Sequence, residues 1–208
     1  MRKPPQDPNL PPIKPNASLK QLQLASKDCR ACDLWKHATQ TVFGEGSARA
    51  KIMLIGEQPG NQEDLEGKPF VGPAGKLLDE ALLAAGIDRK QVYVTNAVKH
   101  FIWEPREKRR IHKKPSAKEI AACRPWLEAE IAALKPKIIV FLGATAAQSL
   151  LGRDFRVTQH RGEFLDLPLV PIVMATVHPS SILRALDQKS RHEQFQSFIA
   201  DLKKTSGK

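Results

Sequence analysis

The sequence predicts an α/β domain: a central, mostly parallel four-stranded sheet with helices on both faces, a three-layer α/β/α arrangement. Three observations lead there. Four short apolar runs, at 51–55, 91–95, 138–142 and 171–177, have the length and composition of strands buried on both sides. Each is followed, directly or after a loop, by apolar residues at helical spacing, and strands alternating with helices suit a parallel sheet between helical layers. The 208 residues, 41% of them apolar, suffice for one domain with a sizeable core, and no internal repeat is visible.

Six prolines and few apolar groups in residues 1–16 predict a disordered or extended tail over 1–17, leaving 18–208 as the single domain. Ser18 is placed to cap a helix through about residue 27. The stretch CRACDLW then turns to loop and brings Cys29 and Cys32 within reach of one metal centre. After the first strand, at 51–55, comes GEQPGNQEDLEGKPFVGPAG, residues 56–75. A loop so rich in glycine, proline and acidic groups is poor core material. It lies at a strand's carboxyl end, where open parallel sheets bind ligands, and so reads as a pocket wall. Its glycines allow close backbone approach and its prolines stiffen it, which holds Glu57, Gln58 and Phe70 in place. The Phe70 ring, set among Gly67, Pro69, Gly72, Pro73 and Gly75, is free to stack on a flat ligand. Neither GxGxxG nor GxxxxGK[ST] occurs here, so nucleotide cofactors lack their usual sequence support.

A helix over 76–85, with Leu77, Leu78, Leu82 and Leu83 apolar, closes at Gly86. The second strand, at 91–95, runs into Asn96, which puts that amide beside Glu57. Residues 101–115 read as a long loop bracketed by Pro105 and Pro115, in which Lys108, Arg109, Arg110, Lys113 and Lys114 surround His112. From its position this loop reaches the same crevice, where it meets phosphates. Ser116 and Glu119 form a capping box for a helix that carries Cys123, is interrupted or restarted near Pro125, and ends about residue 134. The third strand, at 138–142, leads to a short helix over 143–151; 156–167 reads as an edge hairpin or loop. The fourth strand, at 171–177, delivers His178 and the segment PSSILR ending in Arg184, and an amphipathic helix over 190–203 completes the domain.

The net charge of +11 points to a polyanionic partner, nucleic acid before others. No apolar stretch approaches the roughly 20 residues that span a bilayer, and the first residues lack an export signal, so no membrane association and a cytoplasmic location are expected. Three cysteines are too few for a disulfide framework; Cys29 and Cys32 as CxxC, with Cys123 far along the chain, point to metal or redox chemistry. A thioredoxin-like role fits poorly, because the CxxC precedes any strand. Glu57 and Gln58, Asn96 and His178 converge on one sheet edge with Phe70 and the His112 loop nearby. Stacking, edge hydrogen bonds and a donor facing a carbonyl oxygen are what a pocket for one flipped base uses.

GEQPG, GKPFVGPAGKLLDEAL, TNAVK and VHPSSILR, in that order and spacing, resemble the uracil-DNA glycosylase superfamily, and particularly its iron-sulfur group usually numbered four. The likeness covers roughly 19–202. KRRIH, placed after TNAVKHF, is similar to a narrower branch, the UdgX type, in which this histidine becomes covalently joined to DNA. The resemblance implies a uracil-DNA glycosylase-like fold and a DNA repair protein acting on uracil-containing DNA, single- or double-stranded, as a monomer. Phe70 stacks on uracil, Asn96 reads its polar edge, His178 donates to O2, and Gln58 lines the pocket. Glu57 polarises His112 or stabilises the sugar cation; His112 captures the sugar; Arg184 enters the duplex or stacks in the emptied space; Lys108, Arg109 and Arg110 contact phosphates. The related enzymes hold a 4Fe-4S cluster with four cysteines, and this chain has His100 where the third falls. Cys29, Cys32, His100 and Cys123 are thus the candidate ligands of a structural cluster. A Cys₃His set also suits zinc, and spacing alone does not choose. Two other readings stand beside this one: an ordinary turnover glycosylase with His112 a bystander, and a non-catalytic, zinc-stabilised nucleic-acid binder.

Overall fold

The computed structural model describes residues 8–107, 109–168, 170–206 and 208. In chain order its strands are β1 (Glu45–Gly46), β2 (Ile52–Gly56), β3 (Val92–Asn96), β4 (Trp103–Arg106), β5 (Arg109–His112), β6 (Ile138–Leu142), β7 (Phe164–Leu165) and β8 (Ile172–Thr176). Its helices are α1 (Leu19–Ser26), α2 (Asn61–Glu66), α3 (Pro73–Ala84), α4 (Ala117–Leu134), α5 (Ala144–Leu151), α6 (Val157–His160), α7 (Pro179–Leu183) and α8 (Gln188–Lys203). Two 3₁₀ turns, Asp33–Lys36 and Arg89–Gln91, complete the set.

The main sheet has the order β1-β3-β2-β6-β8-β7, with β3, β2, β6 and β8 parallel. These four are the expected strands, each within a residue of its expected limits. The sheet is six-stranded rather than four-stranded because two-residue strands, β1 on β3 and β7 on β8, pair antiparallel at its edges. Alternation along each strand sorts the core into two faces. Leu54, Val94, Val140 and Met174 pack under α3, α7 and α8 through Leu78, Ile182 and Phe198. Met53, Ile55, Ile139, Phe141 and Val173 pack under α4 and α5 through Leu127, Ile131 and Ala147. A third, smaller core of Leu22, Cys29, Leu34, Phe43, Val98, Cys123 and Trp126 sits between α1 and α4.

Both anticipated caps form: Ser18 accepts from the Gln21 N–H and Ser116 from the Glu119 N–H, with the reciprocal capping-box bonds in place. Four features differ from expectation. Helix α4 runs unbroken through Pro125. An interior proline costs about 3 kcal/mol, but burial of Trp126, Leu127, Ile131 and Leu134, at roughly 1.5–3 kcal/mol for each large apolar side chain, outweighs it. Within the Gly-Pro loop, residues 61–66 form α2, which stops where Gly67 takes a left-handed conformation (φ 73°). The basic segment expected as a loop is a hairpin, β4 with β5, which among the described residues forms a two-stranded sheet of its own. In 156–167, expected as an edge hairpin or loop, the chain forms α6 and the edge strand β7. The described part of the expected tail, 8–17, has neither helix nor strand, yet Leu10 and Ile13 pack on the third core and the Asn9 carbonyl accepts the Arg30 N–H. No helix among the described residues is long and apolar enough to cross a membrane.

Candidate active site and metal centre

The carboxyl ends of β2, β3 and β8 place their following side chains at one edge of the sheet. β2 and β3 pair with Gly56 opposite Asn96. A Cβ on Gly56 would lie 2.3 Å from Asn96 Oδ1 and 2.8 Å from Phe70 Cζ, so the amide and the ring edge both approach the bare backbone at that point. Phe70 itself adopts φ 58°, a left-handed conformation costly for an aromatic residue. Gly75 holds it there by close approach: a Cβ on that residue would fall 1.6 Å from the Phe70 carbonyl oxygen. The Phe70 ring stands 6.0 Å from the His178 ring at an interplanar angle of 29°. Phe70, Asn96 and His178 thus lie side by side at this edge, an aromatic face, a buried amide and an imidazole.

The protonation of His178 follows from its bonds. Nδ1 accepts the backbone N–H of Ser180 at 3.1 Å, capping α7. Burial first, then the positive fields of Arg184 and His112, push its pKa down to about 4. A neutral imidazole whose Nδ1 accepts must carry its proton on Nε2, so the ring is a neutral hydrogen-bond donor.

His112 closes β5, half-exposed at the mouth of this edge. Its Nε2 lies 3.3 Å from Glu57 Oε1 and 2.7 Å from Gln58 Nε2. The Gln58 amide is oriented by its other bonds: Oε1 accepts the Ile102 N–H at 3.0 Å and Nε2 donates to the Lys113 carbonyl at 2.8 Å. Gln58, expected only to line the pocket, thus stitches both ends of the hairpin to the end of β2. An amide nitrogen only donates, so it engages the Nε2 lone pair, whereas Glu57 asks the same atom for a proton.

The basic residues divide. Lys108 lies outside the described residues. Arg109 on the hairpin and Arg184 after α7 are exposed and enter none of the ion pairs among the described residues. Arg110, expected as a phosphate contact, is spent inside the protein. It donates to Asp64 Oδ2 at 2.6 Å and Asn61 Oδ1 at 2.7 Å, and lies over the rings of Phe101 and Trp103. Asp64, fully buried, also accepts the backbone and side chain of Thr39. A positive charge beside a proline-bracketed histidine suggested surface; the partner that overrides this is an aspartate in a helix that sequence pattern did not reveal.

Cys29, Cys32, His100 and Cys123 line one small cavity in the third core, with Trp126 and Thr41 in its wall. Cys29 Sγ accepts the Trp126 indole N–H and Cys123 Sγ accepts the Lys99 backbone N–H, each at 3.2 Å. Burial pushes the Cys123 thiol up to about 12 and raises Cys32, so each stays protonated until a strong electrophile such as a metal displaces its proton to solvent. Burial lowers His100 to about 4, which keeps the ring neutral. Thr41 Oγ1 donates to the Ser26 carbonyl, so its 2.9 Å contact with His100 Nε2 takes the ring's N–H and leaves Nδ1 with a free lone pair. Three sulfurs with N–H donors directed at two of them, plus one imidazole, fit a metal-sulfur group. Among the described residues no three His, Cys, Asp or Glu side chains are gathered around a point as a lone ion requires.

Sequence reasoning missed a buried polar cluster beside this centre. Lys99 and Glu130, at 1% and 0% side-chain exposure, form an ion pair, and Tyr93 donates to Glu130 at 2.8 Å. The available signals were a lysine inside the apolar turn NAVKHF and a glutamate on the buried side of α4, seven residues after Cys123.

A family model described as the uracil DNA glycosylase superfamily matches residues 43–203. A type-4 uracil-DNA glycosylase of Thermotoga maritima is 39% identical over 180 residues, covering 83% of this chain and 90% of the relative. That of Sulfurisphaera tokodaii is 39% identical over 176 residues (80% of this chain, 76% of the relative), and that of Archaeoglobus fulgidus 35% identical over 181 residues (84% and 87%).

Proposed function

The chain belongs to the uracil-DNA glycosylase superfamily, and from that premise we propose that it excises uracil from DNA and is left joined to the resulting sugar through His112, as in the UdgX type. The observation that carries the second half is the placement of His112: half-exposed at the pocket mouth, its Nε2 is 3.3 Å from Glu57 Oε1 on a hairpin tied down by Gln58.

Uracil turned out of the strand stacks on Phe70 and offers its O4 and N3–H to the Asn96 amide, which can donate to the first and accept from the second. As the C1′–N1 bond breaks, its electron pair moves into the ring toward O2, where the neutral Nε2–H of His178 receives the growing charge. The sugar becomes an oxocarbenium ion, stabilised by Glu57. The His112 Nε2 lone pair, held close, forms the new bond to C1′; the resulting imidazolium loses its Nδ1 proton to solvent, and uracil takes one at N1. Arg109 and Arg184 supply phosphate and duplex contacts, Arg184 beside the vacated base, and the +11 net charge supplies sequence-independent affinity.

Cys29, Cys32, His100 and Cys123 hold a 4Fe-4S cluster, which cross-links the N-terminal segment to α4; excision requires no electron from it. The protein acts on single- or double-stranded DNA as a monomer in the cytoplasm.

One observation favours the ordinary turnover reading: the Gln58 amide already occupies the Nε2 lone pair at 2.7 Å, and a bond that stays made leaves capture to water. Incubation with uracil- and thymine-containing oligonucleotides, followed by denaturing gels with and without alkali, separates the readings. A retarded protein-DNA band with uracil alone supports capture by His112; alkali-labile sites with multiple turnovers and no such band support hydrolysis.

A further inference from the structure

The link between the cysteine-lined centre and the base pocket is three residues long, and Lys99, the last of them, is fastened at both ends. Asn96 ends β3 and His100 lines the centre. Between them, the Lys99 backbone N–H donates to Cys123 Sγ at 3.2 Å, while its ammonium donates to the Asn96 carbonyl and to Thr95 Oγ1, each at 2.7 Å, and to Glu130. All three ammonium protons therefore have acceptors. Cys123 and Glu130 are seven residues apart on α4, two helical turns, so one face of one helix grips Lys99 at both ends. Glu130 also takes Tyr93 Oη at 2.8 Å and the Gly44 N–H at 3.2 Å, which ties β3 and the segment after Val42 to the same point.

Stability alone gives little reason for such a pair. A buried ion pair loses in desolvation about what it gains in attraction, and an apolar replacement of like volume is often no less stable. What an ammonium has that an apolar side chain lacks is directed donors, one of which here ends on the main chain of Asn96. We propose that Lys99 and Glu130 are positioning residues that set the Asn96 amide for base reading.

This rests on Asn96 reading uracil, so the test is a double-mutant cycle through that residue, run on holoprotein. Lys99→Met with Glu130→Gln removes both charges without leaving either one buried and unpaired; Lys99→Met with Glu130→Met, which removes both charges and the Asn96 contact without burying an amide, serves if the first double variant does not fold. Single-turnover reaction with uracil-containing DNA is measured in the parent and in an Asn96→Ala background, with iron content and melting temperature followed in every variant. The expected result is a loss of tenfold or more from the charge-removing substitution in the parent background and less than twofold in the Asn96→Ala background, with iron retained. Equal losses in both backgrounds, or parent-like rates without the pair, overturn the proposal and leave the pocket reading intact. A parent that does not react with uracil overturns the pocket reading, and this proposal with it, before any variant is made.

Discussion

Gly56→Ala tests the pocket at its tightest point. The methyl group would sit 2.3 Å from Asn96 Oδ1 and 2.8 Å from Phe70 Cζ, where ordinary contacts begin near 3.4 Å, so amide and ring must retreat by roughly 1 Å and half that. Gly56 has no left-handed φ, so alanine fits the backbone and the whole effect falls on these two side chains. Both border the pocket and can shift toward it, which puts the stability cost near the lower end of the roughly 1–3 kcal/mol typical of overpacking. The catalytic cost is larger: misplacing a binding group by about 1 Å can lower the rate on the order of 100-fold. Single-turnover reaction with uracil-containing DNA is therefore expected to fall about 100-fold. The melting temperature drops by only a few degrees, and salt-dependent binding to undamaged DNA is unchanged because Lys and Arg supply it. A variant that reacts at the parent rate would show that Asn96 and Phe70 do not read the base.

Two further outcomes are expected. The purified protein is brown, with broad visible absorption that is lost on removing iron; a colourless, folded protein holding one zinc contradicts the cluster, and Cys123→Ala costs folding more than pocket chemistry because it unties α4 from the N-terminal segment. His178, with a folded pKa near 4 against about 6.5 when unfolded, stays neutral down to acid pH. Since the unfolded chain binds the proton first, its contribution to stability is whole above pH 6.5 and is lost as pH falls from there toward 4. NMR titration of its ring nitrogens reads this directly, and a midpoint near 6.5 refutes the donor assignment.

The parts legible in the sequence were those governed by local pattern. Apolar runs such as KIMLI and KIIVFL reported burial on both faces, and Ser18 as a cap and Ser116 with its reciprocal partner Glu119 announced helix starts. Because strand ends in a parallel sheet fall on one edge, finding the strands also placed Glu57, Asn96 and His178 together. The hairpin was hidden because its residues are mostly charged and exposed; its shape comes from Arg110 on Asp64 and Gln58 on Ile102 and Lys113, contacts 44 to 55 residues apart in sequence. Helix α2 was hidden between Gly60 and Gly67, and the continuity of α4 by Pro125, where tertiary burial outweighs local preference. Lys99 and Glu130 went unread although each stands in an apolar setting, because their pairing joins residues 31 apart on different elements.

The central claim is that His112 takes the place of water. Its most direct test is mass spectrometry of the protein after reaction with a uracil-containing oligonucleotide, denaturation in SDS and heat, and digestion. The account predicts one adduct of peptide and abasic sugar located on His112, stoichiometric with protein, and its disappearance in His112→Ala, with free uracil then released over several turnovers. An adduct that persists in His112→Ala, or a parent that turns over many substrates and carries none, contradicts it.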